Sequence, residues 1–398
     1  MLLMNRKEFD AAADFFTRIL RDYPTSIEAH FCLGNAHVGR KDYAQALETF
    51  SKVLKIASNE PAVYFNRGCV YQKMLDFDRA IVEYTTAVAV KPTYAEAYYN
   101  RGNAFFAIGR ISEATIDFER AVFENPNDAD PYVALGLIHL VGGRPEQAVL
   151  EFTKAIERNP KHAKAYGNRG NAHEMLEQYD AALADYAKVE ELHPRDAKMF
   201  LNRATVKSKI GDNEGAIADY TEAIKVAPNN AKAYAARGHV FLRIKHYQKS
   251  IDDFDEAIRL MPNDNIYRMR RGQAYVASGD KEHGLADFLE AIRLRTDNWE
   301  AWYHLGVTRL KLGRSEEALA DLDMAIKFNA TSVSVHFSRA IVLRILERLE
   351  ESLAAFNRII ELDAKNVAAY KNRAEVLLLL GRGEIAANDL QKVAELTK

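Results

Sequence analysis

Apolar and small residues return along this chain with a period of 34, in one register without insertion or deletion. Repeats begin at Ile27, Pro61, Ala95, Ala129, Ala163, Ala197, Ala231, Asn265, Trp299, Val333 and Val367, and a partial repeat precedes Ile27. Such a period constrains the fold before any single residue does. Within each repeat, places 4, 7, 8 and 11 fall on one helical face, and places 20, 21, 24, 27 and 28 repeat that spacing after a turn. This predicts a pair of antiparallel helices. Place 8 is glycine or alanine throughout, from Gly34 to Ala374, and place 20 is alanine, serine or glycine, from Ala46 to Ala386. Glycine in a helix interior costs about 1 kcal/mol, so its recurrence implies two backbones in close approach. Proline at Pro24, Pro92, Pro126, Pro160, Pro194, Pro228 and Pro262 closes many pairs, because it lacks the N–H that would continue a helix.

Polar residues interrupt the first face in a regular way. Place 7 is arginine at Arg67, Arg101, Arg169, Arg203, Arg237, Arg271, Arg339 and Arg373, and leucine at Leu33, Leu135 and Leu305. Place 23 of the same repeats is acidic at Glu83, Asp117, Asp185, Asp219, Asp253, Asp287 and Asp389, while Arg339 faces Ala355. Both places lie near the helix crossing, so a partly buried ion pair is expected inside each such repeat, with the planar guanidinium forked onto a carboxylate. A place that accepts leucine in three repeats reads as packing rather than as a ladder for an acidic ligand.

The pattern resembles the tetratricopeptide repeat, whose signature is a large residue, Leu-Gly, an aromatic, Ala, an aromatic and Pro at fixed offsets. Residues 299–332 come near it with Trp302, Leu305, Gly306, Ala318 and Ala325. The resemblance implies an all-α, right-handed superhelical solenoid of antiparallel helix pairs, with first helices on the concave side, and it implies binding rather than catalysis. Residues 1–398 would then be a single solenoid: a partial repeat over 1–26, ten full repeats over 27–366 and a terminal capping repeat over 367–398.

Composition narrows the function. The chain has 398 residues, a net charge of −2 and 28% charged residues, so no basic excess marks a nucleic-acid binder. Cys32 and Cys69 are its two cysteines, which excludes a disulfide framework and suits a reducing, cytoplasmic setting. The start, MLLMNRKEFD, lacks the pattern of a secretory signal, and apolar runs such as 132–141 fall short of the roughly 20 residues a membrane span needs. No metal, phosphate-loop or nucleophile motif is present, and His173 beside Glu174 has no second ligand at helical spacing. No enzyme activity, cofactor, metal site, nucleic-acid partner or membrane partner is expected.

Three functions fit such an array: a scaffold whose groove takes a protein or peptide segment, the substrate-recruiting repeat region of an enzyme resembling O-linked N-acetylglucosamine transferase, or a structural subunit of an assembly. A groove that changes along its length favours the scaffold. Taking places 2, 5, 9 and 13 as its lining, the N-terminal repeats offer Phe31, Phe65 and Tyr99 with Glu28, Glu96, Asp130 and Asn35, and Asn66 joins this aromatic groove from the place after Phe65. The C-terminal repeats offer Met269, Tyr303, Phe337 and Ile345, and between them lie Lys164, Lys198, Lys232, Lys209 and Arg243. The main site is therefore placed over residues 163–245, with Asn168, Asn171 and Asn202 beside the cations and a preference for acidic, extended peptides. Chaperone-binding members of the resembled family use a carboxylate clamp, which implies roles for Asn171, Asn202 and Lys232. Gly167 and Ala236 stand where that clamp has a lysine and an arginine.

The ends and one junction also stand out. The partial first repeat lacks most of a first helix, which suggests a fragment of a larger protein and an open end for self-association. Ala387 and Ala394 stand where earlier repeats have Leu, Ile or Val, as a terminal cap would require. Glu190, Lys207 and Gly215 weaken the packing pattern, so residues 186–216 are expected to form a softer junction.

Overall fold

The computed structural model describes residues 6–397; it is 80% helix, with no strand among the described residues. The chain divides into two compact units, Met1–Arg195 and Asp196–Lys398, called here the N-terminal and C-terminal bodies. The division falls inside residues 186–216.

In the N-terminal body α1 (Arg6–Asp22) is followed by the pairs α2 (Ile27–Gly39) and α3 (Tyr43–Ile56), α4 (Pro61–Lys73) and α5 (Phe77–Val90), and α6 (Ala95–Ala107) and α7 (Ile111–Glu124). Two more pairs complete it: α8 (Asp130–Val141) with α9 (Pro145–Arg158), and α10 (Ala163–Met175) with α11 (Tyr179–Leu192). The C-terminal body begins with α12 (Ala197–Lys209) and α13 (Asn213–Val226), α14 (Ala231–Arg243) and α15 (Tyr247–Leu260), and α16 (Asn265–Ser278) and α17 (Lys281–Leu294). It ends with α18 (Trp299–Lys311) and α19 (Ser315–Phe328), α20 (Val333–Ile345) and α21 (Leu349–Leu362), and α22 (Val367–Leu379) and α23 (Gly383–Leu396). First helices open where the period starts, α8 one residue later, and second helices open at place 17.

Local chemistry fixes these boundaries. Asp42, Asp76, Asp212 and Asp280, all at place 16, accept the backbone N–H three residues on and so cap the second helices. The turn before them needs a left-handed residue at place 15. Glycine fills it at Gly109, Gly143, Gly211, Gly279, Gly313 and Gly381, whereas Lys41, Leu75, Glu177, Lys245 and Glu347 adopt it with φ of 55–64°. At the other turn, place 4 ties down the chain six residues earlier: the hydroxyl of Tyr64 donates to Ser58 O at 2.9 Å, and the indole of Trp302 donates to Thr296 O at 2.9 Å. His30 and His336 do the same to Pro24 O and Ala330 O, each at 3.0 Å.

Small residues at places 8 and 20 do mark the crossing. A β-carbon on Gly34 or Gly136 would lie 2.5 Å from the ring of Phe50 or Phe152, so the buried aromatic at place 24 occupies the room that glycine leaves. Ser250 and Ser352 donate across the same crossing to Gly238 O and Ala340 O at 2.8 Å.

The expected ion pairs form. Arg101, Arg169, Arg203, Arg237, Arg271 and Arg373 each present Nε and Nη2 to the two oxygens of Asp117, Asp185, Asp219, Asp253, Asp287 and Asp389, at 2.5–2.9 Å. Arg67 meets Glu83 at 2.8 Å. These arginines also reach backwards, which the sequence reading did not foresee. Nη1 of Arg101, Arg169 and Arg237 donates to Thr85, Thr153 and Thr221, and that of Arg271 and Arg373 to Asp255 and Asn357, at 2.6–3.1 Å. All five acceptors stand at place 25 of the preceding repeat, so one side chain joins two repeats. Arg339, lacking its own acid, uses Asp323 at that place, at 2.6 Å. In residues 299–332, where place 7 is Leu305, Arg309 supplies the cation from place 11 and reaches both oxygens of Asp321 with Nη1 alone, at 2.9 and 2.8 Å.

Two expectations are modified. Lys207 is not a bare polar residue: it joins Asp219 at 2.8 Å. The last helix exposes Ala387 and Ala394, but also Ile385 (51%) and Leu390 (49%), so it is less polar than a simple cap. The open N-terminal end starts outside the described residues; within them, α1 exposes Phe15.

Candidate first-helix binding face

First helices touch at α4 with α6 and α8 with α10 in the N-terminal body, and from α12 through α14, α16 and α18 to α20 in the C-terminal body. Places 2, 5, 6, 9 and 13 of α12 through α20 therefore form a continuous strip, and those of the N-terminal body adjoin in pairs. The predicted site residues fall on both bodies: Lys164, Asn168 and Asn171 on α10, and Lys198, Asn202, Lys209, Lys232 and Arg243 on α12 and α14.

In the N-terminal body the aromatic residues are half core. Phe31 leans on Phe50 at 6.0 Å, Phe65 sits between Tyr84 at 5.9 Å and Tyr94 at 5.1 Å, and Tyr99 leans on Phe118 at 5.8 Å. Each is half-buried, so none presents an open aromatic surface; Asn35 is exposed and Asn66 half-buried. On α10, Lys164 is exposed and Asn168 half-buried. Asn171 has a structural task, because its Oδ1 accepts the hydroxyl of buried Tyr186 at 2.8 Å. Burial pushes that phenol's pKa up, so it remains a donor. The same provision recurs wherever place 24 is tyrosine: Tyr84 donates to Gln72 at 2.7 Å, and Tyr220 lies 3.2 Å from the Thr205 hydroxyl. A buried hydroxyl left without a partner costs about 1–3 kcal/mol, which explains the polar residue on the facing helix.

The C-terminal body presents a different strip. Lys198, Lys209, Lys232 and Arg243 are exposed and Asn202 is half-buried. Arg243 donates to the neutral oxygens of Ser208, at 3.0 Å, and Asn213, so its charge is not cancelled. Met269, expected to line the groove, is instead 1% exposed and packs among Leu285, Phe288 and Leu305. The unbranched thioether bends into the core. Arg270, the next residue, takes its place on the strip.

Arg270 is half-buried, donates to Gln273 Oε1 at 3.1 Å, and pairs with no carboxylate among the described residues. The Gln273 amide in turn lies 2.5 Å from Nε2 of His304, whose ring stacks on Phe288 at 5.7 Å. An amide nitrogen only donates, so Nε2 accepts and the imidazole is neutral. Burial, then the charges of Arg270 and Lys311, hold the His304 pKa down at about 4. His239 on α14 is lowered by burial, then by Arg270 and Arg243. A band of positive potential thus runs across α14, α16 and α18. The sequence reading missed Arg270, His239, Gln273, His304 and Lys311.

Models of the tetratricopeptide repeat match residues 3–64, 95–128, 133–197, 231–264 and 269–333, and a model described as TPR repeat matches 76–109 and 205–245. The chain belongs to the tetratricopeptide repeat family. Membership of the TPR family supports a protein-interaction scaffold, and none of the matched models describes an enzyme. No curated protein matches in sequence. Among solved structures, a tetratricopeptide repeat protein from Parabacteroides merdae is 15% identical, with 63% of this chain and 98% of that one covered and a TM-score of 0.51. Yeast Tom70 is 18% identical, with 91% and 90% covered and a TM-score of 0.48, and the APC/C hetero-tetramer Cut9-Hcn1 is 15% identical, with 98% and 91% covered and a TM-score of 0.49. At these identities the similarity concerns the fold. No described helix of this TPR array is long and apolar enough to cross a membrane.

Proposed function

We propose that the chain is a non-catalytic scaffold that captures an acidic, extended protein segment along the first helices of its C-terminal body. The observation that carries this reading is the repetition of exposed cations at fixed places of neighbouring helices: Lys198 and Lys232 at place 2, Lys209 and Arg243 at place 13. Charges spaced by the repeat attract a segment along its length and read its overall acidity. Asn202 adds an amide, which both donates and accepts, as a peptide backbone requires. Lys164, Asn168 and Asn171 hold the corresponding repeat places on α10 of the N-terminal body, where Tyr186 already uses the Asn171 carbonyl oxygen. With Gly167 and Ala236 in place of two clamp cations, the reading favours acidic side chains along the segment over a single terminal carboxylate. Cys32 and Cys69, both free thiols, suit a reducing cytoplasmic setting.

The test is calorimetry of a glutamate-rich peptide and its glutamine counterpart at two salt concentrations, with wild type and the K198E/K232E double variant. About a tenfold preference for the acidic peptide is expected at low salt, shrinking as salt screens the charges and vanishing in the variant. Equal affinity in wild type and a folded variant would overturn the reading and turn attention to Phe31, Phe65 and Tyr99.

A further inference from the structure

The positive strip of the C-terminal body is not uniform. Along α12 and α14 it consists of solvated lysine tips, suited to attraction at a distance. At α16 it changes character. Arg270 is half-buried with a planar fork and no acid to fill it, whereas the place 7 arginines of its own body, Arg203, Arg237, Arg271, Arg339 and Arg373, all have carboxylates. Beside it stand His239 from α14, Gln273 from α16 and His304 from α18, and the charge of Lys311, further along α18, reaches His304 as well. A half-buried guanidinium held only by an amide oxygen is an unsatisfied cation with a fixed direction, which is the usual requirement for point recognition of an oxyanion.

Resting on the acidic-segment reading above, we propose that Arg270, with Gln273, His304 and Lys311, forms a discrete anchor pocket for a phosphorylated side chain of the bound segment. A carboxylate brings one charge and two coplanar oxygens, which one fork saturates. A phosphoryl group brings nearly two charges and three oxygens in a tetrahedral array. That array suits donors arriving from different helices: Arg270 from α16 and Lys311 from α18, with the Arg243 charge at the margin. On the strip of α14, α16 and α18 the one acidic residue is Glu300, half-buried at the start of α18, against the cations Lys232, Arg243, Arg270 and Lys311, so positive charge is in excess. Lys198 and Lys232 then provide approach and general affinity, and Arg270 fixes the register of the segment.

The experiment uses the full chain with two synthetic peptides, identical except for a central phosphoserine or glutamate, and inorganic phosphate alone. Affinities come from calorimetry, and the imidazole NMR signals of His239 and His304, assigned with H239Q and H304Q, report position. Wild type is expected to bind the phosphoserine peptide about tenfold more tightly than the glutamate peptide, with both imidazole signals displaced. In R270Q the ratio falls to about one, and in R270K it stays between. Circular dichroism and thermal melting of each variant confirm the fold. K198E/K232E weakens both peptides alike and leaves their ratio intact, which separates the two proposals. Phosphate displacing His304, at constant ionic strength and pH, without measurable peptide binding would support the pocket and sink the acidic-segment reading. A wild-type ratio near one, a ratio preserved in R270Q, or a silent His304 signal at saturating phosphoserine peptide would overturn the pocket.

Discussion

Arg271 and Arg270 follow one another on α16 and meet opposite surroundings. Arg271 turns between the helices, where Asp287 and Asp255 take three of its N–H groups at 2.6–2.8 Å. Arg270 turns to the strip and has one amide oxygen at 3.1 Å. The difference separates two regions that residue type alone cannot tell apart. Between helices the arginines neutralise acids and connect repeats; on the strip the cation keeps its charge.

The sharpest way to break this comparison is to empty one rung. Asp219→Ala takes the forked carboxylate from Arg203 and the paired oxygen from Lys207 in a mostly buried site, and a loss of about 3–5 kcal/mol is expected in denaturant or thermal melts. Leucine at both Arg203 and Asp219 should be milder, because the guanidinium leaves with its carboxylate and Lys207 alone loses its acid; a double variant as damaged as the single would remove the ion pair as the cause. Next comes the direct contrast. Arg271→Ala leaves Asp287 without its fork and should cost about 3 kcal/mol, while Arg270→Ala should stay within about 0.5 kcal/mol. Equal costs would erase the distinction between the two regions.

The substitute rung sharpens the comparison through pH. Burial outweighs the attraction of Arg309 and raises Asp321 to about 6 from 3.8. Between those values the folded chain holds a proton that the unfolded chain has released, so this group adds stability as pH falls through the window and adds no more below it. The melting-temperature difference between wild type and Asp321→Asn should therefore move in favour of wild type from pH 7 to pH 4. A flat difference would mean that folded Asp321 does not hold that proton. The smallest effect concerns Asn171: its change to alanine should cost about 1 kcal/mol in wild type and much less in a Tyr186→Phe background, measured as a double-mutant cycle.

The helix boundaries, the small residues at the crossing and the place 7 to place 23 pairs were legible because eleven repeats could be read against each other. The link to place 25 was not. Its acceptors are Thr85, Thr153, Thr221, Asp255, Asp323 and Asn357, and what they share is an oxygen within reach rather than a charge or a size. The partner of Tyr186 was readable in principle, since a tyrosine at place 24 accompanies a polar residue on the facing helix. Arg270 escaped for the opposite reason: place 6 holds Asn202, Ala236, Arg270, His304 and Ser338 in successive repeats, and a search for recurrence passes over the place that varies. Met269 escaped because place 5 lies on the border between core and strip, where a flexible side chain decides its own direction.

The bond from a place 7 arginine back to place 25 also limits how such a chain changes length. Adding or removing a whole repeat leaves donor and acceptor at the same separation along the sequence. Adding one residue to a first helix ahead of place 7 turns the arginine by about 100° around the helix axis, away from the oxygen of the repeat before and from its own acid together. Tolerated length changes between those two places should therefore come in steps of 34.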